Sequence, residues 1–373
     1  MENIRICCPC HFGLESVLKF EIGKIGGTDL NVLDGKITFT GDFNTVARAN
    51  LCLSTAERVL IELAEFRAVT FEELFQGVKK INLERYIGEK DAFPVTGYSL
   101  NSKLHSVPDC QAIIKKAAVE RLKSVYGTNW FDETGVTVQI RFSILKDKVN
   151  VYLDTSGTGL HKRGYRRNSN AAPLKETLAA GIIDLARIRP DSIVCDPFCG
   201  SGTFLIESAL KAMKIAPGLG RHFIAEQWSN LGENFSKVWK EERQRALDNV
   251  DKSAKFEGYG FDADSSAVAL TEENARKAGV ISRIRIEKQD ITKFRHPDGA
   301  TVVCNPPYGE RMLEIKQAEE IYGIMGDVLE HGDGKSSHII SPHEEFESFF
   351  GQKANKRRKL YNGMIKCQLF IYF

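Results

Sequence analysis

From residue 171 to the end of the chain, strand-like and helix-like patterns alternate, and no other feature of the sequence constrains the fold as strongly. "DSIVCDP" reads as a strand and "TFLIESALKAM" as the helix after it. "FEGYGFDAD" is a strand, and "SAVALTEENARKAGV" a helix closed by Gly279. "RIRIEKQD" and "TVVCNPPY" are strands, "IKQAEEIYGIMGDVLE" is a helix and "SHIIS" a strand. A helix over "PLKETLAAGIIDLAR", with Pro173 in its first turn, precedes the series. "KLYNGMIKCQLFIYF" closes it as a hairpin turned by Asn362-Gly363. Strands joined through helices run mostly parallel, with helices on both faces. In such sheets ligands bind beyond the carboxyl ends of the strands.

Four strand ends carry suitable residues. "DPFCGSGTF" (196–204) follows a strand and opens a helix. Gly200 and Gly202 allow a tight turn and close approach of a ligand to the backbone. The turn is neither GxGxxG nor a phosphate loop, which favours a nucleoside ligand without a triphosphate. Asp196 is placed to accept from a ligand ammonium. In "GYGFDAD" (258–264) Asp262 directly follows the strand and suits a grip on two ribose hydroxyls, with Asp264 second. The same acids also suit a helix cap. Asp290 in "KQDITKF" ends a third strand, where it can accept from an adenine amino group or serve as a turn residue.

The fourth end is "TVVCNPPYGER" (301–311). Two prolines cannot donate to a sheet ladder, so the strand stops and its exit is stiff. The Asn305 amide oxygen and the Pro306 carbonyl can both accept from one –NH2, while Pro307 stiffens the exit and Tyr308 offers a ring for stacking. Stacking on a flat substrate is worth ~1–3 kcal/mol per base. Two acceptors holding a planar amino group turn its lone pair toward an electrophile. A sulfonium methyl needs no acid catalysis and fits in-line transfer governed by positioning.

The 170 residues before this region read as two small α/β units and a basic joint. Residues 1–65 hold "IRICCPC" as a strand, "GLESVLKFEIGKI" as a helix, "GKITFTGD" as a strand and "FNTVARANLCLST" as a helix. Residues 66–155 hold two helices, the second being "DCQAIIKKAAVERLKSVYG" with Asp109 as cap and Gly127 as stop, and two strands joined by "KDK". Residues 156–170 form the joint, with Lys162, Arg163, Arg166 and Arg167 interleaved with Tyr165. A second basic run, "KANKRRK", covers 353–359. Such runs neutralise phosphates, and an aromatic among them stacks on a base. They equally form solvated faces. With a net charge of only +2, any nucleic-acid footprint is local.

Nine scattered cysteines, no leader pattern and no apolar run of about 18 residues point to a cytoplasmic protein with free thiols and no membrane span. Cys7 and Cys10 form a CxxC beside His11, but no second ligand pair follows at zinc spacing, so no metal is expected. A cytosine-C5 mechanism would need a cysteine nucleophile, and Cys199 and Cys304 read as packing residues.

In order, "DPFCGSGT", "FDAD", "QD" and "NPPYGER" resemble the class I S-adenosylmethionine-dependent amino-methyltransferases. "GLHKRGYR", "APLKETLAA" and "NPPYGERM" resemble more closely the THUMP-containing bacterial methyltransferases related to 23S rRNA guanine-N2-methyltransferases. The resemblance covers nearly the whole chain. It implies an α/β fold in which a Rossmann-like class I methyltransferase domain (171–373) follows a ferredoxin-like unit (1–65), a THUMP unit (66–155) and a basic linker (156–170). It implies S-adenosylmethionine as cofactor, held by Asp196, Gly200, Gly202, Asp262 and Asp290. Asn305, Pro306, Pro307 and Tyr308 match the catalytic exit, and Lys175 to Thr177 a helix entry near the methionine end of the cofactor. Lys162, Arg163, Tyr165, Arg166 and Arg167 are expected to meet RNA, either large-subunit rRNA or a ribosomal precursor.

NPPY serves adenine N6, guanine N2 and glutamine amides alike, so the motif does not choose among them. No helix-turn-helix, zinc finger or long insertion after NPPY is present to read DNA. The expectation is therefore guanine N2 in 23S rRNA. The alternatives are adenine N6 in RNA or DNA, guanine N2 in tRNA, a protein glutamine, or a catalytically silent RNA-binding factor.

Overall fold

The computed structural model describes residues 3–166, 174–309 and 312–373. Its first half is built from β1 (Ile4–Pro9), α1 (Glu15–Lys24), β2 (Thr28–Leu33), β3 (Lys36–Gly41), α2 (Phe43–Cys52) and β4 (Leu60–Arg67). It continues with α3 (Phe71–Lys79), β5 (Val95–Leu100), α4 (Val107–Tyr126), β6 (Ile140–Leu145) and β7 (Lys148–Asp154). Local chemistry sets many of these ends. Asp42 caps α2 by accepting from Thr45 N, and Thr70 with Glu73 forms a reciprocal capping box on α3. Gly127 stops α4 in the left-handed region, as expected, but the N-cap is Ser106 and Asp109 sits inside the first turn. Lys146 and Asp147 turn the β6–β7 hairpin, both with positive φ.

These strands form one seven-stranded sheet in the order β2-β3-β1-β4-β7-β6-β5. β4 pairs with β1 on one side and β7 on the other, so the expected boundary at 65/66 falls inside a strand shared by both units.

The second half comprises α5 (Glu176–Leu185), β8 (Ile193–Asp196), α6 (Thr203–Ala212), α7 (Glu233–Asp248), β9 (Glu257–Asp262), α8 (Ser265–Lys277) and β10 (Ile284–Lys288). It ends with β11 (Thr301–Cys304), α9 (Met312–Val328), β12 (Ser336–Ser341), α10 (Phe346–Phe350), β13 (Lys356–Asn362) and β14 (Ile365–Tyr372). Pro173, expected in the first turn of α5, lies outside the described residues. The second sheet runs β10-β9-β8-β11-β12-β14-β13, with β8 to β12 parallel and β14 antiparallel to both its neighbours. The order reverses between β8 and β11, which opens a crevice at their carboxyl ends. The closing hairpin turns on Gly363-Met364, one residue later than expected, because Asn362 is still paired with Ile365. Gly363 takes φ +63°, which a first central position of this kind requires.

The two halves interlock. Leu14 and Val17 of the first half belong to the apolar core beneath the second sheet. A Cβ at Gly181 in α5 would lie 2.3 Å from Leu14 Cδ1. In return, the stretch between α6 and β9 reaches back. Phe223, Trp228, Phe235 and Trp239 join the core of the first sheet, and Trp228 Nε1 donates to Thr137 O at 3.1 Å.

Candidate functional site

The turn after β8 is held from two directions. From β9, Phe261 O accepts from Cys199 N at 2.9 Å, and Asp262 Oδ2 accepts from Gly200 N at 3.0 Å. From α8, Thr271 Oγ1 donates to Gly200 O at 2.8 Å, and Asn274 Nδ2 donates to Ser201 O at 2.9 Å. Gly200 and Gly202 have φ of +54° and +79°, and a Cβ on Gly202 would sit 2.6 Å from Thr271 Cγ2. Glycine at 202 is therefore demanded twice, by conformation and by space. Thr271 and Asn274 are almost fully buried, and sequence reasoning missed both. The available signal was a pair of polar residues three apart on the buried face of α8.

The carboxylates at these ends differ in what they do. Asp196 is 2% exposed and accepts from Phe198 N at 3.0 Å. Burial, aided by the nearby charge of Asp262, pushes its carboxyl up to about 8. A buried acid in this state, lacking a described cationic partner, suits a ligand that brings its own positive group. Asp262 Oδ1 accepts from Asp264 N at 2.9 Å, so its side chain lies along the turn. Asp264 spends its carboxylate capping α8 through Ser266 N and Oγ. Asp290 caps a short turn by accepting from Thr292 N and Oγ1 at 2.9 and 2.7 Å. It still stands beside Asp262, because Gln289 N donates to Asp262 O at 2.9 Å. The glycine turn with these acids fits a nucleoside carrying an ammonium group.

Val302 pairs with Cys195, so Asp196 and Asn305 project from neighbouring strand ends across the crevice. Pro306 is buried and Pro307 exposed, and Tyr322 Oη donates to Pro307 O at 2.9 Å, which pins the exit. Tyr308 donates from its hydroxyl to Asn305 Oδ1. The residue is half-buried against the closing hairpin, where its hydroxyl also meets Asn362 and Cys367, and burial pushes its phenol well up. Cys199 and Cys304 are buried with thiols pushed up by desolvation, which makes both poor nucleophiles. All nine cysteines are free.

The basic joint is a correction. Arg163 is 5% exposed, and its guanidinium donates to Leu160 O at 2.8 Å and Ser54 O at 2.6 Å and pairs with Glu207 at 3.4 Å. Tyr165 is buried and donates to the same Glu207 at 3.1 Å. Arg166 pairs with Glu176 at 2.6 Å and donates to Leu174 O. None of these three presents a surface to a polynucleotide. The reason is that α5 and α6 bury Glu176 and Glu207 at the seam between the halves, and buried carboxylates need cations. Lys162 is exposed, and Arg167 lies outside the described residues. Lys175 and Thr177, matched to a cofactor-side helix entry, are bound to Glu57 of the first half, which also pairs with His11 at 3.1 Å.

Among the described residues no group of three His, Cys, Asp or Glu could hold a metal, and no helix is long and apolar enough to cross a membrane. Residues 163–371 match the family described as RMKL-like, methyltransferase domain. Residues 5–60 match the RlmL ferredoxin-like domain, and 68–154 the THUMP domain. The chain is 40% identical over 376 residues to "Putative RNA methyltransferase YpsC" of Bacillus subtilis (strain 168), covering 100% of this chain and 97% of that protein. It is 32% identical to the ribosomal RNA large subunit methyltransferase K/L of Cellvibrio japonicus (strain Ueda107), covering 97% of this chain but only 50% of that protein. The crystal structure of SMU.472, "a putative methyltransferase complexed with SAH", superposes with a TM-score of 0.92 at 36% identity, covering 100% of this chain and 98% of that one.

Proposed function

Since the chain belongs to the RMKL-like methyltransferase family, whose methyl donor is S-adenosylmethionine, we propose that it methylates an exocyclic amino group of a base in RNA, namely guanine N2 in large-subunit rRNA. The observation that carries the reading is the placement of Asn305 on the strand end next to Asp196, at the point where the strand order reverses. The THUMP match and the names of the relatives support RNA as the substrate class. Nine free thiols suit the reducing cytoplasm, where we place the protein.

S-adenosylmethionine supplies an electrophilic methyl carbon. Asp196 receives the ammonium group, Asp262 the ribose hydroxyls and Asp290 the adenine side, while the Gly200–Gly202 turn leaves backbone room. The target base is unpaired or flipped out, at a cost of a few kcal/mol. Asn305 Oδ1 and the Pro306 carbonyl accept the two amino hydrogens and hold the lone pair out of conjugation. A carbonyl oxygen has two lone pairs, so Tyr308 occupies one and aims the amide, leaving the other for substrate. The proton released from the methylated nitrogen leaves to solvent.

The test is methyl transfer from labelled S-adenosylmethionine to bulk RNA and DNA of a deletion strain, followed by nucleoside analysis. Label in N2-methylguanosine of large rRNA is the expected result. Label in N6-methyladenine, or in DNA alone, overturns the target. Asn305→Ala is expected to leave cofactor affinity nearly intact while turnover falls on the order of a hundredfold or more, as for loss of a preorganised polar contact. An equal loss of cofactor affinity would contradict the division of roles.

A further inference from the structure

With the arginine joint buried, the substrate needs another way to be gripped beside the catalytic exit. The closing hairpin touches that exit directly, through Asn362 on Tyr308. The next residue back, Tyr361, leaves the opposite face of this edge strand near the hairpin tip, is half-exposed, and its ring meets Phe12 of the first half edge-on, with centroids 5.9 Å apart. Phe12 is 54% exposed. Lys359 Nζ lies 5.3 Å from the centre of the Tyr361 ring, and Lys366, paired with Tyr361 across the hairpin, is exposed.

An exposed phenylalanine is ordinary in itself, but this one is built in place. Glu15 accepts from Gly13 N at 2.9 Å and Gly35 N at 3.0 Å, closing the turn on either side of the ring. Arg358 donates to Gly13 O and Ser16 Oγ, both at 2.8 Å, fastening the turn to the hairpin. Gly13 takes φ +91°, and a Cβ there would sit 2.5 Å from Lys359 O, so the two backbones meet as closely as they can. A Cβ on Gly35 would lie 3.0 Å from the Phe12 ring, so the ring rests on bare backbone there. The result is a rigid aromatic pair contributed by both halves, flanked by two exposed lysines.

We propose that Phe12 and Tyr361, with Lys359 and Lys366, form a stacking step for the unpaired nucleotide next to the target base in RNA. This rests on the RNA reading above. A flipped target leaves its neighbour unstacked, and an aromatic face beside a cation offers that neighbour a substitute stack and its phosphate a counter-charge. The step also gives the first half a direct part in presenting the base, through a residue that has no role in the reaction itself.

The experiment compares wild type, Phe12→Ala, the Phe12→Ala/Tyr361→Ala pair and Phe12→Trp, using deletion-strain rRNA and labelled S-adenosylmethionine. The alanine variants are expected to raise KM for RNA by between about five- and a hundredfold. Their kcat at saturating RNA and their affinity for S-adenosylmethionine should stay within about twofold, and Phe12→Trp should restore KM. Cofactor affinity also reports that each variant is folded. An unchanged KM in the paired variant overturns the step while leaving the RNA reading standing. A fall in kcat without a change in KM also overturns it. Wild-type enzyme that methylates no RNA overturns the underlying reading, and the step with it.

Discussion

Two runs of the chain mix arginine and lysine with a tyrosine, and the fold treats them oppositely. In the joint, Arg163 and Tyr165 vanish between the halves and share Glu207, while Arg166 serves Glu176. In the closing hairpin, Lys359 and Tyr361 remain at the surface, next to the contact between Asn362 and Tyr308. The compositions are nearly the same. What differs is what lies opposite: buried carboxylates at the seam, and at the hairpin a glycine turn for Arg358, Glu347 for Arg357 and solvent for Lys359. A basic run therefore says that cations are needed, and not whether phosphate or an internal acid will receive them.

The strongest way to break this comparison is at the seam. Arg163→Ala leaves Glu207 buried without its cation, and should lower stability by about 3–5 kcal/mol, read by denaturant or thermal unfolding. RNA affinity per folded molecule should not change. If stability held and RNA binding collapsed, the joint would be a nucleic-acid surface after all.

A second test contrasts a paired buried acid with an unpaired one. The Asp196 carboxyl is pushed up to about 8 in the fold, above its ordinary value of 3.8, so the native state binds this proton more tightly than the unfolded chain does. Its contribution to stability is therefore greatest below the unfolded value and is lost as pH rises through about 8. Asp196→Asn should flatten that part of the melting-temperature profile. Cofactor affinity should tighten on the order of tenfold between pH 6.5 and 8 in wild type, as ionised carboxylate becomes available to an ammonium group. Calorimetry in buffers of different ionisation enthalpy should register proton release on binding. A pH-independent affinity would remove Asp196 from the cofactor contact.

Tyr308→Phe sharpens the comparison at the crevice. It keeps the ring against the hairpin and removes the hydroxyl's bond to Asn305, together with its contacts to Asn362 and Cys367. A loss of about two- to thirteenfold in kcat is expected, with cofactor affinity unchanged, from a hydrogen bond worth roughly 0.5–1.5 kcal/mol. The smallest effect belongs to single surface lysines. Lys359→Ala should weaken RNA binding a few-fold and reduce the salt slope by about 0.7, the value for one single-strand phosphate contact. Arg166→Ala should leave the slope where it was.

The strand-end site was legible because its signals are local. Proline removes a donor wherever it stands, so "NPPY" had to end a strand. Gly202 adopts a left-handed conformation where the β8 turn enters α6, and Asp196 and Asp262 end, and Asp290 follows, strands that their own sequences announce. Position along a strand even favoured Asp262 over Asp264, and only Asp262 reaches the turn. The hairpin was legible to within one residue, because Asn362-Gly363 and Gly363-Met364 place the same glycine at different points of similar turns.

By itself, then, the sequence determined the strand and helix alternation of the second half apart from α7 and α10, the parallel sheet and the residues standing at its carboxyl ends, since hydrogen-bonding capacity, φ and side-chain period are properties of neighbouring residues. Tertiary structure alone decided that two apparent N-terminal units share one sheet through β4, and that the stretch around Trp228 and Trp239 would cross back to that sheet's core. It also decided the fate of each arginine. The physical reason is range. The cost of burying a charge depends on a partner brought from elsewhere: Glu207 lies 44 residues beyond Arg163, and Gly13 lies 345 residues before Arg358. No window of sequence around either arginine contains that partner.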